Sequence, residues 1–303
     1  MDSLSGINAE LKRLVETFCI DELTESVLYS ELAKIERDAA TRKVLRELSE
    51  QEHRHYSFWR SILGRDCRAR MYTVFLLKVA YRILGPIFVL NMLEQGEREA
   101  VEKYRSFIEK FGVGEDVRRE VEDILGEEEE HEEKLIDRIE DIRTKYLGYA
   151  ALGLSDALVE VTGVHAGFLG ATASTTVAGI AGLVVGFSAA ISMAGAAYVQ
   201  SRHSGSEKPG VSAMVTGLSY MLSVVLLALP YFLLGSMAIS FATSVVLALA
   251  IVAAFTYYSS VIRRENFRSE FVTTSALLLG TAAASYLFGD VMGRVFGIQG
   301  AFS

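Results

Sequence analysis

The stretch "GEEEEHEEKL", residues 126–135, sets six glutamates around one histidine. On its own such a run reads as a solvated helix face, because blocks of like charge are mostly surface. A second stretch, "SEQEHRHY" at 49–56, changes that reading. Both contain E-x-x-H: Glu50 with His53 and Glu128 with His131, the glutamates 78 residues apart. Three helical residues turn through about 300°, so the two side chains of each motif point within about 60° of each other and can grip one ion. An acid also stands upstream of each motif, Glu22 by 28 residues before Glu50 and Glu97 by 31 before Glu128. Four-helix proteins with this doubled pattern, helix-with-Glu then helix-with-E-x-x-H, build a carboxylate-bridged two-metal site. The candidate ligands are therefore Glu22, Glu50, His53, Glu97, Glu128 and His131. Glu25 and Glu94, each one turn from an upstream acid, are candidate extra ligands. Carboxylates with imidazole and no thiolate suit iron or manganese. The other glutamates of the run (Glu127, Glu129, Glu130, Glu132 and Glu133) read as solvated.

Outward from these motifs, residues 1–146 read as helix throughout. No proline occurs before Pro86, and apolar residues recur at helical spacing, as in Leu11, Leu14, Val15 and Phe18. Long helices are expected at 7–38, 41–64, 86–112 and 114–146. An apolar segment, 71–84, runs into the third of them as "MYTVFLLKVAYRILGPIFVLNML". Its 23 residues have the length of a membrane span. Lys78, Arg82 and Pro86 argue instead for a crossover and a buried helix, with contact to the membrane surface as the alternative.

The chain divides sharply in composition. Beyond residue 147 it carries six acids and six bases, so 32 of its 38 acids and 24 of its 30 bases lie before that point. The first part holds the whole net charge of −8, and the second is neutral and oily. Half of all residues are hydrophobic and the mean hydropathy is +0.28, which fits an acidic soluble domain (1–146) joined to a membrane domain (147–303). An acidic surface excludes nucleic acid as a partner, since phosphate contacts need basic charge. The two cysteines, Cys19 and Cys67, form no disulfide framework and read as ordinary thiols of a reducing compartment. The start, "MDSLSGINAELKR", lacks a basic region followed by an apolar stretch, so no secretory signal is expected.

In the oily part, long uncharged runs predict five membrane helices at about 149–170, 176–199, 212–234, 239–262 and 271–293. Basic residues concentrate in the loops after the second and fourth helices, "SRHSGSEKPG" and "RRENFR". The positive-inside rule places these loops and the N-terminal domain in the cytoplasm, with the C-terminus outside. Asp156 and Glu160 share a face of the first helix, and ionisable groups at membrane depth usually mark an ion or proton path. Met193 is by default a packing residue, although a thioether beside carboxylates suits a transition metal. His165 and Asp290 stay open.

Two resemblances follow. "IDELTESVLYSELA", "LSEQEHRHYSFWRSILG", "LEQGEREAVEKY" and "EEEEHEEK" resemble rubrerythrin and the ferritin-like superfamily over nearly all of 1–146. The four-cysteine iron site that ends rubrerythrins is absent, which weakens a peroxidase reading. "LGLSDALVEVTGVHAG" and "GFSAAISMAGAAYVQS" resemble the first two helices of the vacuolar iron transporter family. That resemblance implies a metal path lined by Asp156 and Met193 and export of Fe2+ or Mn2+ coupled to protons. Ala157 and Ala197 depart from its motifs, and the metal-binding insertion of some members is missing. Together the halves resemble the membrane-bound ferritin, or erythrin–iron-transporter, proteins of prokaryotes.

The resulting expectation is an all-α protein: a cytoplasmic ferritin-like four-helix bundle with a di-iron (or manganese) site, then a five-helix bundle in the prokaryotic inner membrane. It would export Fe2+ or Mn2+ by proton antiport along Asp156, Glu160 and Met193, and act as a homodimer. A membrane-anchored di-iron oxidase or peroxidase is the alternative.

Overall fold

The computed structural model describes residues 9–111, 114–136, 142–172, 174–205 and 208–297; within these, the side chains of 9, 97–99, 110–111, 129–136 and 142–145 lie outside the description. All regular structure among the described residues is helical. The helices are α1 (Ala9–Ile35), α2 (Ala39–Leu63), α3 (Met71–Leu84), α4 (Pro86–Phe111), α5 (Glu115–Ile136), α6 (Ile142–Ala171), α7 (Thr175–His203), α8 (Pro209–Leu233), α9 (Met237–Arg263) and α10 (Phe267–Phe296). The chain forms two compact units, Met1–Asp141 and Ile142–Ser303. The division falls a few residues before the compositional one, because α6 begins at Ile142 ahead of its apolar stretch.

In the first unit, α1 and α2 form an antiparallel hairpin. Asp38 caps α2, its carboxylate accepting from the Thr41 N–H at 2.7 Å. Gly64, at φ 72°, ends it in the left-handed conformation, where a Cβ would be strained. Ser26 and Ser49 tie the hairpin midway by donating to each other's carbonyls at 2.9 and 2.8 Å. The core is aromatic: Trp59 of α2 stacks on Tyr104 of α4 at 5.2 Å between ring centres. Phe18 of α1 meets Tyr104 edge-on at 4.4 Å. Val121, Ile124 and Leu125 of α5 close the same cluster.

Two expectations are corrected here. Segment 71–84 forms a helix of its own, α3, but not a buried one: only Val74 and Tyr81 are buried, while Met71, Tyr72, Phe75, Leu76, Val79 and Ile83 are exposed. The helix is apolar on nearly all sides, and its neighbours α1 and α4 cover only one of them. The second correction concerns the cysteines, which are bonded to each other, Cys19 to Cys67, with Cα atoms 6.2 Å apart. Cys19 sits on the inward stripe of α1, and the segment after α2 turns back past it. A separation of 48 residues hides that proximity in the sequence.

In the second unit, all five helices are long and apolar enough to cross a membrane, at 146–171, 175–203, 209–233, 237–263 and 267–296. This is a multi-pass membrane protein by that measure. α6 packs against each of the other four. Glycine permits the closest approaches: a Cβ on Gly289 of α10 would lie 2.0 Å from the Gly167 carbonyl oxygen of α6. A Cβ on Gly153 would lie 2.2 Å from that of Thr216 in α8. Such contacts suit a bilayer, where packing rather than solvent exclusion holds helices together. Ser201 and Ser212 link α7 to α8 at 2.9 Å.

A candidate metal centre

The inward stripe of α1 runs through Val15, Phe18, Cys19, Glu22, Ser26 and Tyr29, so that one carboxylate stands on an otherwise uncharged face. On α2 the stripe is Thr41, Leu45, Leu48, Glu52, His55, Trp59 and Leu63. On α5 it is Val121, Ile124, Leu125 and Glu128. Three helices thus aim Glu22, Glu52, His55 and Glu128 at one point. Each is buried, and one ligand atom from each lies within 4.8 Å of the others. The fourth helix, α4, contributes Tyr104, whose hydroxyl donates to Glu22 Oε1.

His55 is the hub. Its Nδ1 lies 3.1 Å from Glu128 Oε1, 3.4 Å from Glu22 Oε2 and 3.5 Å from Glu52 Oε2. On the far side its Nε2 meets Glu127 Oε2 at 3.1 Å. Glu127 is held in turn by Gln51 at 2.6 Å and Arg54 at 3.3 Å. An imidazole with one nitrogen toward a cation site and the other against a carboxylate has the arrangement that orients metal-binding histidines.

Three buried carboxylates cannot all ionise beside one another without a compensating cation. Burial accordingly pushes the Glu52 carboxyl well above its usual range, against the lowering pull of the nearby His55 ring and with Glu128, Glu22 and Glu25 adding to the rise. Burial would lower the pKa of His55, but the close carboxylates of Glu128, Glu22 and Glu52 outweigh it and drive the value far up. Burial and the adjoining Glu22 likewise raise Tyr104. Both oxygens of Glu52, Oε2 of Glu22 and Nδ1 of His55 lack a hydrogen-bond partner. Orphaned buried acceptors converging on one point are what a bound cation would satisfy. The cluster can hold a metal ion, and its oxygen and imidazole donors suit a hard or borderline divalent one.

The structure brings together Glu22 and Glu128 of the candidates named from sequence, but replaces Glu50 and His53 by Glu52 and His55. "EQEHRH" contains E-x-x-H twice, two residues out of phase, and two helical residues turn through about 200°. Glu50 and His53 therefore face outward, both exposed, and line a separate surface hollow with Ser30, Glu31 and Lys34. Glu25 is half-buried and close enough to raise both Glu52 and Tyr104. Glu94 is half-buried. The side chains of Glu97 and His131 lie outside the described residues, as do those of Glu129, Glu130, Glu132 and Glu133. Glu127, expected to be solvated, is instead the outer partner of His55.

Within the membrane unit, Glu160 of α6 accepts a hydrogen bond from the Tyr220 hydroxyl of α8. It also lines a groove of about 740 Å³ between α6, α7 and α10, with Gly163, Gly167, Val185 and Ser285. Asp156 is exposed on the surface of α6, and Met193 packs partly buried against the core around Leu158 and Tyr220. Neither lines the groove. His165 is fully buried with its ring against Tyr231 at 4.1 Å. Asp290 pairs with Arg294 at 2.8 Å.

No family model matches the chain, and neither a curated protein nor a solved structure is detectably similar to it.

Proposed function

We propose that this chain is a membrane exporter of Fe2+ or Mn2+ whose first unit is a ferritin-like metal domain that binds, senses or delivers the ion. The observation that carries the reading is the buried Glu22–Glu52–His55–Glu128 cluster on the same chain as five apolar helices. Iron and manganese are favoured over softer ions by the donor set, which holds no thiolate. Glu52 and His55 belong to the E-x-x-H of the first half of a doubled motif. Glu97, Glu128 and His131 would complete the second half of a two-metal site.

For transport, the supporting groups are Asp156 and Glu160, near the middle of the span 146–171. An exposed carboxylate at that depth is costly unless protein or water covers it. Asp156 together with the open groove beside Glu160 therefore supports a homodimer in which a second copy closes this side of α6. Carboxylates there can alternate between proton and metal, which supports exchange against protons. The basic loops favour the first unit facing the cytoplasm. The Cys19–Cys67 bond pulls the other way, since disulfides persist mainly in oxidising compartments.

The test is metal uptake by inside-out vesicles carrying the full chain, wild type against Asp156→Ala. Wild type is expected to accumulate Fe2+ and the variant to lose most of that flux. Full transport by Asp156→Ala would overturn the path. Rapid Fe2+ oxidation by purified wild type, with no metal moved, would replace the transporter by a membrane-anchored oxidase.

A further inference from the structure

Among the described residues of the first unit, every large hydrophobic side chain left exposed lies on α3. Tyr72 is 74% exposed, Ile83 69% and Phe75 62%, with Met71, Leu76 and Val79 beside them. Positions 72, 75, 76, 79 and 83 follow helical spacing, so they form one continuous stripe along a helix about 21 Å long. The orientation is fixed from the opposite side. Lys78 bridges to Glu31 at 2.6 Å, Arg70 to Asp21 at 2.5 Å, and the Tyr81 hydroxyl donates to Glu36 at 2.5 Å. Water-facing surfaces rarely carry so contiguous a patch unless something covers it.

Charge indicates what covers it. From Cys67 to Leu93 there is no Asp or Glu, while Arg68, Arg70, Lys78 and Arg82 all lie there. This basic, apolar segment interrupts a unit that is otherwise strongly acidic. Arg82 projects from the same side as Phe75 and is exposed. A second copy docked on a two-fold axis through this face would bring Arg82 toward its own counterpart, which is unfavourable. An anionic lipid surface matches both features, the stripe entering the boundary between headgroups and acyl chains and Arg82 meeting phosphates. Tyr72 adds an aromatic ring with a polar tip, suited to that boundary. The five apolar helices of the chain keep a bilayer within reach.

We propose that α3 lies in the plane of the membrane surface, its Tyr72–Phe75–Val79–Ile83 face inserted among anionic lipids. The proposal depends on the chain being membrane-embedded and not on what it transports. Its test uses the full chain in nanodiscs containing about 30% anionic lipid. The native cysteines are bonded to each other, so a fluorophore can be attached through Phe75→Cys, through Ile83→Cys, or through Lys43→Cys on the exposed side of α2. Lipids bearing a nitroxide near the headgroup are expected to quench the labels at 75 and 83 about two-fold, and iodide in the water to quench only the label at 43. Replacing the anionic lipid with a zwitterionic one should weaken the lipid quenching. Iodide quenching at 75 and 83 equal to that at 43 would overturn the proposal. Efficient crosslinking of two copies through position 75 would overturn it in favour of a protein interface.

Discussion

At the scale of single residues, the metal cluster turns on helical phase. Glu22 stands seven residues from Val15 and from Tyr29, Glu52 seven from Leu45 and from Trp59, and Glu128 seven from Val121. Seven residues return to within about 20° of the same direction, so each ligand continues a buried stripe. The presence of Glu22 and Glu128 in a buried acid–histidine cluster was legible from composition and E-x-x-H spacing. The choice between Glu50–His53 and Glu52–His55 was legible only from the phase of Leu45, Leu48 and Trp59, which Glu52 and His55 share and Glu50 and His53 do not. Two predictions belong here. Glu52→Gln and His55→Ala should each weaken Mn2+ or Fe2+ binding by more than the roughly 10–100-fold typical of an outer partner, and Glu127→Gln by about that amount. Glu50→Gln and His53→Ala should leave it unchanged; isothermal titration of the chelator-treated protein measures all five. The second prediction concerns pH. Folding raises both Glu52 and His55 above their ordinary values of 4.5 and 6.5. The metal-free folded state therefore binds more protons than the unfolded one, and its stability should fall as pH rises, from about 4.5 upward for Glu52 and 6.5 upward for His55. Metal must displace those protons, so affinity should climb over the same range. Thermal unfolding against pH, in chelator and in Mn2+, should show two curves that diverge as pH increases.

At the scale of elements, helix positions followed from periodicity and from the run of uncharged residues. What the elements touch did not. The exposure of α3 depends on how much of its circumference α1 and α4 can cover, and the Cys19–Cys67 bond on a chain reversal that no local pattern announces. The small residues of the membrane helices were equally visible as a class, but not which of them sit at a crossing. Gly289 and Gly280 lie in the same apolar helix, nine residues apart. A Cβ at Gly289 would strike the Gly167 backbone at 2.0 Å, whereas one at Gly280 meets nothing within 4 Å. Backbone cannot step aside as a flexible side chain can, so α10 and α6 must separate. Gly289→Leu should destabilise the detergent-solubilised protein by at least the 1–3 kcal/mol usual for overpacking, seen as a lower unfolding midpoint. Gly280→Leu, which only adds apolar surface facing outward, should leave the midpoint nearly unchanged.

At the scale of the whole molecule, the uneven distribution of charge foretold two units, and the physical cause is solvent. A bilayer tolerates few ionised groups, whereas the many exposed charges of the first unit need water to solvate them. If the chain exports metal as proposed, the same partition would separate two roles that transport kinetics can resolve. If the first unit governs when metal moves and the second how fast, substitutions in each should change different parameters. Glu52→Gln removes a cluster ligand without touching the spans. It should raise the Fe2+ concentration giving half-maximal flux several-fold while leaving the maximal rate close to wild type. Asp156→Ala should instead depress the maximal rate, with metal binding to the first unit retained. Flux measured over a range of Fe2+ concentrations in the same vesicles, alongside metal content of the purified variants, distinguishes the outcomes. Equal loss of maximal rate in both variants would mean that the cluster lies on the obligatory route, so that the first unit acts as a relay rather than a sensor.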